Sequence, residues 1–243
     1  MAASGSQLLS RVTAERLEAY VFTGGYQPGD KLPSERELGG LFGVSRTVLR
    51  EAVKLLNQKG LVQSSVGRGL YVAEPNGRTL TSSIDTLLHL KQGRVDHILE
   101  VRATLEDLSA RAAAERASAE DMTAMRVALE DMDRLLDQPV LFIRSDLTFH
   151  LALARATHNP LLLALVEPTM TLMQHIRERM VNLPDAATGA QKGHRLIYDA
   201  VVHHDSVAAA AAMAEHLAHV TNVLATNIPG WRDLLVRADY IEN

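Results

Sequence analysis

The 243-residue chain contains no cysteine, which excludes a disulfide framework and any thiolate metal site. It contains no apolar run near the ~18 residues that a membrane span requires. Nor does it open with the basic-then-apolar layout of a secretory leader, so the cytoplasm is the expected location. Low-complexity tracts and internal repeats are missing as well. Apolar residues at 47% and charged residues at 22% suit an ordinary globular protein, long enough for two modest cores. The net charge of −4, taken whole, argues against a nucleic-acid partner. Its distribution argues the other way. Residues 1–74 hold nine Lys/Arg against seven Asp/Glu, whereas residues 75–243 hold sixteen against twenty-two. The basic residues of the first part concentrate at Lys31, Arg36, Arg46, Arg50, Lys54 and Arg68. Each neutralised phosphate releases its counterions separately, so local placement outweighs the total.

What is present is sharpest between residues 32 and 73. Pro33-Ser34, with Glu37 three positions on, predicts a capped helix start. Leu38, Leu41 and Phe42 are its expected apolar face, and Gly43 ends it. Ser45 is a second N-cap, followed by Val48, Leu49, Ala52, Val53, Leu55 and Leu56 at helical spacing. Two helices joined by so tight a turn make a helix-turn-helix. Arg46, Thr47 and Arg50 then fall near the front of the second helix, where a recognition helix meets base edges and phosphates. Gly60 stops that helix. Residues 61–65 read as a strand, Val66-Gly67-Arg68-Gly69 as a turn, and residues 70–73 as the returning strand. A hairpin with arginine at its tip, placed after a helix-turn-helix, makes a winged helix. A bland helical hairpin would not account for it. Ahead of this unit, residues 6–23 read as an amphipathic helix with Leu8, Leu9, Val12, Leu17, Tyr20 and Val21 as its apolar positions.

Glu74-Pro75-Asn76-Gly77 interrupts strand and helix alike and reads as a domain boundary. The expected fold is mainly α: a winged helix-turn-helix domain over 1–74, a linker over 75–79, an all-α domain over 80–230 and a tail over 231–243. Helices are expected near 80–91, 94–116, 119–136, 139–157, 159–181, 188–204 and 206–227, a bundle of six to seven. No alternating β-rich run interrupts them. Trp231 falls in the tail, and nothing local assigns it a role.

Asp146 and His150 lie four residues apart on one expected helix and leave it on one face. His194 and His216 lie on later helices, beside Leu196 and Ile197 and between Met213 and Val220. One carboxylate and three imidazoles from three helices could converge in a bundle core, and such a set suits a divalent cation of the Zn, Ni or Mn kind. Spacing leaves the competing reading open, since a histidine on an amphipathic helix is more often satisfied or exposed than a ligand. His89, His97, His158, His175 and His219 carry only that bland reading, and His203 and His204 beside Asp205 read as a solvated helix end. Arg102 stands on a face otherwise made of Ile98, Leu105 and Leu108. It is either a fork for a carboxylate or the partner of Glu106 one turn on.

The run PGDKLPSERELGGLFGVSRTVLREAVKLLNQKGLV, with the glycine-rich turn after it, resembles the DNA-binding domain of GntR-family transcription regulators. The rest of the chain resembles the FCD-type effector domain of the FadR subfamily. Val101-Arg102, Leu105-Glu106, Asp146-Leu147-Thr148-Phe149-His150, Ala156-Thr157-His158-Asn159-Pro160, His194 and His216 carry that second likeness. The resemblance implies a homodimer bound to a near-palindromic double-stranded DNA operator. Arg36, Ser45, Arg46, Thr47, Arg50 and Gly67 would lie at the DNA, with Arg68 added from the wing. It further implies a divalent metal held by Asp146, His150, His194 and His216, and a small carboxylate effector touching Arg102 and Asn159. Repression is the usual mode of such regulators. The alternatives from other classes are a metal-dependent enzyme and a metal sensor built on the helical domain.

Overall fold

A computed structural model describes residues 5–65, 69–73, 78–183 and 185–234. The wing-tip residues Val66, Gly67 and Arg68, the boundary at 74–77 and Pro184 lie outside the described residues. The chain divides into two compact units between Thr79 and Leu80.

The first unit comprises α1 (Gly5–Thr23), α2 (Glu35–Phe42), α3 (Arg46–Gln58), β1 (Val62–Ser65) and β2 (Gly69–Val72). The start of α2 is held by the reciprocal bonds its sequence predicts. The Glu37 amide donates to Ser34 Oγ at 3.3 Å, and the Ser34 amide donates to Glu37 Oε2 at 2.9 Å. Gly43 closes α2 at φ 67°, a left-handed conformation that glycine adopts without penalty. Ser45 then caps α3 by accepting from the Val48 amide at 3.3 Å. Helix α3 buries Val48 and packs Leu49, Ala52, Val53 and Leu56 against α1 and the hairpin. The strands pair antiparallel with Val62 opposite Val72 and Gln63 opposite Tyr71. Lys31 adds a short bridge to Tyr71, and the Leu32 amide donates to the Leu70 carbonyl at 2.9 Å. The turn-rich lead-in is thereby stitched to the sheet.

Two expected faces differ. On α1 the buried positions are Ser10, Thr13, Ala14, Leu17 and Val21, while Leu8, Leu9 and Val12 are exposed. Ser10 and Thr13 tolerate burial because each hydroxyl donates to the helix carbonyl four residues earlier, at 3.0 and 2.7 Å. On α2 only Leu38 and Gly39 are buried, and Leu41 faces solvent.

The second unit takes in α4 (Arg78–Leu90) from Leu80 onward, α5 (Val95–Arg116), α6 (Ala119–Arg134), α7 (Pro139–Arg155), α8 (Pro160–Leu172), α9 (Gln174–Met180), α10 (Ala186–Val202) and α11 (Ser206–Asn227). Its main core gathers Ala110, Ala113 and Ala114 of α5 with Ala209, Ala212 and Met213 of α11, among others. Alanines on facing helices let the axes approach closely. The span 159–181, expected as one helix, is two. Pro168 deprives α8 of one amide donor, and the chain leaves the helix at Met173 before α9 begins. Among the described residues the bundle therefore has one helix more than the upper count its sequence suggests. Trp231 is not in a free tail. It opens a single 3-10 turn and packs with Val95, Ile98 and Leu224, and the Val95 amide donates to the Leu234 carbonyl at 2.8 Å.

Candidate functional site

On the first unit, Arg36, Ser45, Arg46, Thr47 and Arg50 are all exposed. The last four lie at or just after the capped start of α3, on the side opposite its buried stripe. None of the three arginines is held in an ion pair among the described residues, whereas Lys54 is paired with Glu51 at 2.7 Å and Lys59 with Glu18 at 2.8 Å. The front of α3 thus offers free guanidinium groups on a rigid backing. Gly67 and Arg68 lie outside the described residues.

In the second unit, α7, α10 and α11 bring His150, His194 and His216 together. One ring nitrogen of each lies within 4.8 Å of the others, and all three rings are buried. His150 Nε2 is 3.3 Å from His194 Nε2, and the His194 and His216 ring centroids are 4.4 Å apart. Asp146 adjoins them, its Oδ1 lying 3.2 Å from His194 Nε2 and 3.9 Å from His150 Nε2. The other oxygen, Oδ2, is paired with Arg177 of α9. Gly193 makes room for this packing: a Cβ there would lie 2.8 Å from His216 Nδ1.

Residues around the rings decide which nitrogens face inward. Gln191, also buried, spends both protons of its amide on the Leu129 carbonyl (2.9 Å) and Asp133 Oδ1 (2.8 Å). Only its oxygen is left for His194 Nδ1, 3.4 Å away. His194 therefore carries its proton on Nδ1 and turns the Nε2 lone pair toward Asp146 and His150. The Glu106 carboxylate lies between Arg102 and His150, its Oε1 taking Arg102 Nε and its Oε2 lying against His150 Nδ1. Arg102 is thus the buried partner of Glu106, and its Nη2 also stands 3.4 Å from His150 Nε2. Burial, and then the neighbouring imidazoles, hold His194 and His216 well below the ordinary histidine range, so both are neutral. Their unfolded counterparts take up protons below about pH 6.5. The metal-free protein is therefore expected to lose stability as pH falls through that value, because the unfolded state then binds more protons than the folded one. A urea midpoint equal at pH 7.5 and 5.5 would contradict this.

Beside the cluster lies a partly open cavity, with Arg102, Asp146, Arg177, His216 and His219 among its walls. Two of these were not legible from sequence. His219, expected to be satisfied or exposed, is half-buried with an unpartnered Nε2, and its place one turn beyond His216 is the clue the sequence offers. Arg177 carried no local signal. Asn159 does not line the cavity. It is exposed, and its Oδ1 caps α8 by accepting from the Leu161 and Leu162 amides at 3.1 and 3.3 Å, as an asparagine before a first-turn proline can. Among the remaining histidines, His89, His97, His158, His175, His203 and His204 are exposed.

Comparison with known proteins accords with this two-part layout. Residues 9–72 match the model of bacterial regulatory proteins of the gntR family, and residues 97–219 match the FCD domain. The HTH-type transcriptional regulator LutR of Bacillus subtilis is 36% identical over 83% of this chain and 94% of its own length. The HTH-type transcriptional repressor NanR of Salmonella newport is 33% identical over 88% and 84%. A GntR protein of Streptococcus agalactiae shares the fold with a TM-score of 0.71, at 24% identity over 88% of this chain and 99% of its own. These families and relatives are regulators, which leaves the enzyme alternative without support. No helix among the described residues is long and apolar enough to cross a membrane. The chain belongs to the GntR family of bacterial regulatory proteins, with an FCD domain following its helix-turn-helix, and is a DNA-binding transcription regulator.

Proposed function

We propose that this regulator binds its operator as a homodimer and releases it when a small carboxylic acid occupies a divalent-metal site in the helical unit. The carrying observation is the contact between His194 Nε2 and Asp146 Oδ1 at 3.2 Å. Gln191 keeps the proton on the far nitrogen and burial keeps the ring neutral, so a lone pair faces a carboxylate oxygen. Such a pair repels unless something positive sits with it. Three imidazoles and a carboxylate fit a Zn, Ni or Mn class ion, and Asp146, His150, His194 and His216 would hold it. Bound there, the ion would supply a positive anchor for one end of an acid. Arg102 and Arg177, on the cavity wall, would orient that acid by charge-assisted hydrogen bonds. Repression is supported by the repressor among the relatives, and dimerisation by the two-fold symmetry usual for operators of helix-turn-helix proteins.

At the DNA, Arg46 and Arg50 would reach guanine edges, with Arg36 nearer a phosphate and Ser45 and Thr47 at the backbone. The wing residues Gly67 and Arg68 would close on the duplex. Arg46→Ala is expected to weaken operator binding by about 1–3 kcal/mol and to relax preference at one base pair. Fluorescence anisotropy on a set of single-base operator variants measures both. An unchanged affinity together with an unchanged preference removes Arg46 from base contact.

The whole reading is tested by titrating fragments from the protein's own genomic neighbourhood at low ionic strength. Retardation should persist in chelator, and acids should release the DNA only after metal is restored. If no fragment is retarded, operator binding fails. If acids act equally in chelator, the metal has no part in sensing.

A further inference from the structure

The cavity beside the histidine cluster changes character along its length. On α10, His194 is followed toward the N-terminus by Ala190, Ala187 and Ala186. On α11, His216 and His219 give way to Val220 and Val223. Asp146 on α7 is succeeded one turn back by Ile143 and Phe142, and Arg177 on α9 one turn on by Met180. These steps run in one spatial direction. Gly193 lies against His216 and Gly189 against His219, so descending α10 follows ascending α11. At the far end, Met180, Ala186 and Val223 belong to one apolar cluster with Ile98 and Leu224. Val223 at that end lies seven positions beyond His216, ~10 Å along the helix.

Resting on the carboxylate-effector reading above, we infer that the effector is a monocarboxylic acid with an apolar body, its charged end at Arg102, Arg177 and the histidines and its tail among Ala186, Met180 and Val223. Among the described residues, the far wall supplies no cation and no polar side chain to a second carboxylate or to a row of hydroxyls. A buried polar group without a partner is disfavoured. The three alanines of α10 line that end with the smallest apolar side chains, which leaves it free of bulky groups on that side.

Isothermal calorimetry on the zinc-loaded full chain, with acetate, butyrate, hexanoate and octanoate, then succinate, adipate and gluconate, tests this. Affinity should rise roughly fourfold per added methylene, the increment for burying one CH₂, and level off once the apolar end is filled. Adipate and gluconate should bind far more weakly than hexanoate. Ala186→Leu should move the plateau to shorter acids, and the wild-type series decides alone if that variant does not fold. Tightest binding by gluconate or succinate, with no effect of chain length, overturns the inference while leaving a carboxylate effector in place. Failure of every acid to bind overturns both.

Discussion

Replacing Glu106 with alanine is expected to destabilise the helical unit by about 3–5 kcal/mol, the range for breaking a buried ion pair by removing one partner. Glu106 and Arg102 are only 1% and 2% exposed, so the guanidinium is left buried without its counter-charge. The change also removes the carboxylate beside His150 Nδ1. Burial alone would raise the Glu106 carboxyl, but Arg102 and His150 outweigh it and hold the group well below the usual carboxylate range. A carboxylate lowered in this way contributes fully above its unfolded value near 4.3. The contribution is lost only as pH falls toward the folded value. The difference between wild type and Glu106→Ala should therefore be equal at pH 7.5 and 5.5. Urea unfolding of the metal-free full chain measures it, and Glu106→Gln, which keeps the shape and one acceptor, should recover part of the loss. A destabilisation below 1 kcal/mol would mean that Arg102 finds another partner.

Replacing His194 with alanine should cost divalent-metal affinity more than the ~10–100-fold typical of losing an outer hydrogen-bond partner. His194 sits centrally, facing His150, His216 and Asp146 at once. At metal concentrations 100-fold above the wild-type Kd, bound metal stabilises by about 2.7 kcal/mol, and this increment should vanish in the variant. Gln191→Ala provides the graded control. It leaves all four donors but frees the His194 tautomer, so the ~10–100-fold loss itself is expected there. Metal titration followed by calorimetry and by thermal unfolding reads both effects. Undiminished affinity in His194→Ala would remove the cluster as a metal site.

The histidine and arginine positions also show where local reading stops. Asp146 and His150 share a helix face by spacing alone, yet nothing near Asp146 signals that Arg177 meets it, because the two are 31 positions apart and joined only by the break at Met173. Arg102 was legible only as two alternatives. The structure combines them, since it pairs with Glu106 while lining the cavity. Asn159 was misplaced by likeness, although its own neighbour Pro160 marks it as a helix cap.

From the amino-acid order alone follow the two-part plan, the caps at Ser34, Gly43 and Ser45, and the exposed arginines at the head of α3. All of these depend on bonds and periodicities within a few residues, so the chain writes them locally. Which nitrogens of His150 and His194 face inward depends instead on groups distant in sequence or on other helices, such as Leu129, Asp133 and Arg102. The same holds for the burial of Trp231, the inward turn of Arg177 and the apolar end of the cavity. Packing of helices decides them, because a side chain's donors, acceptors and dielectric surroundings come into being only when distant segments close around it.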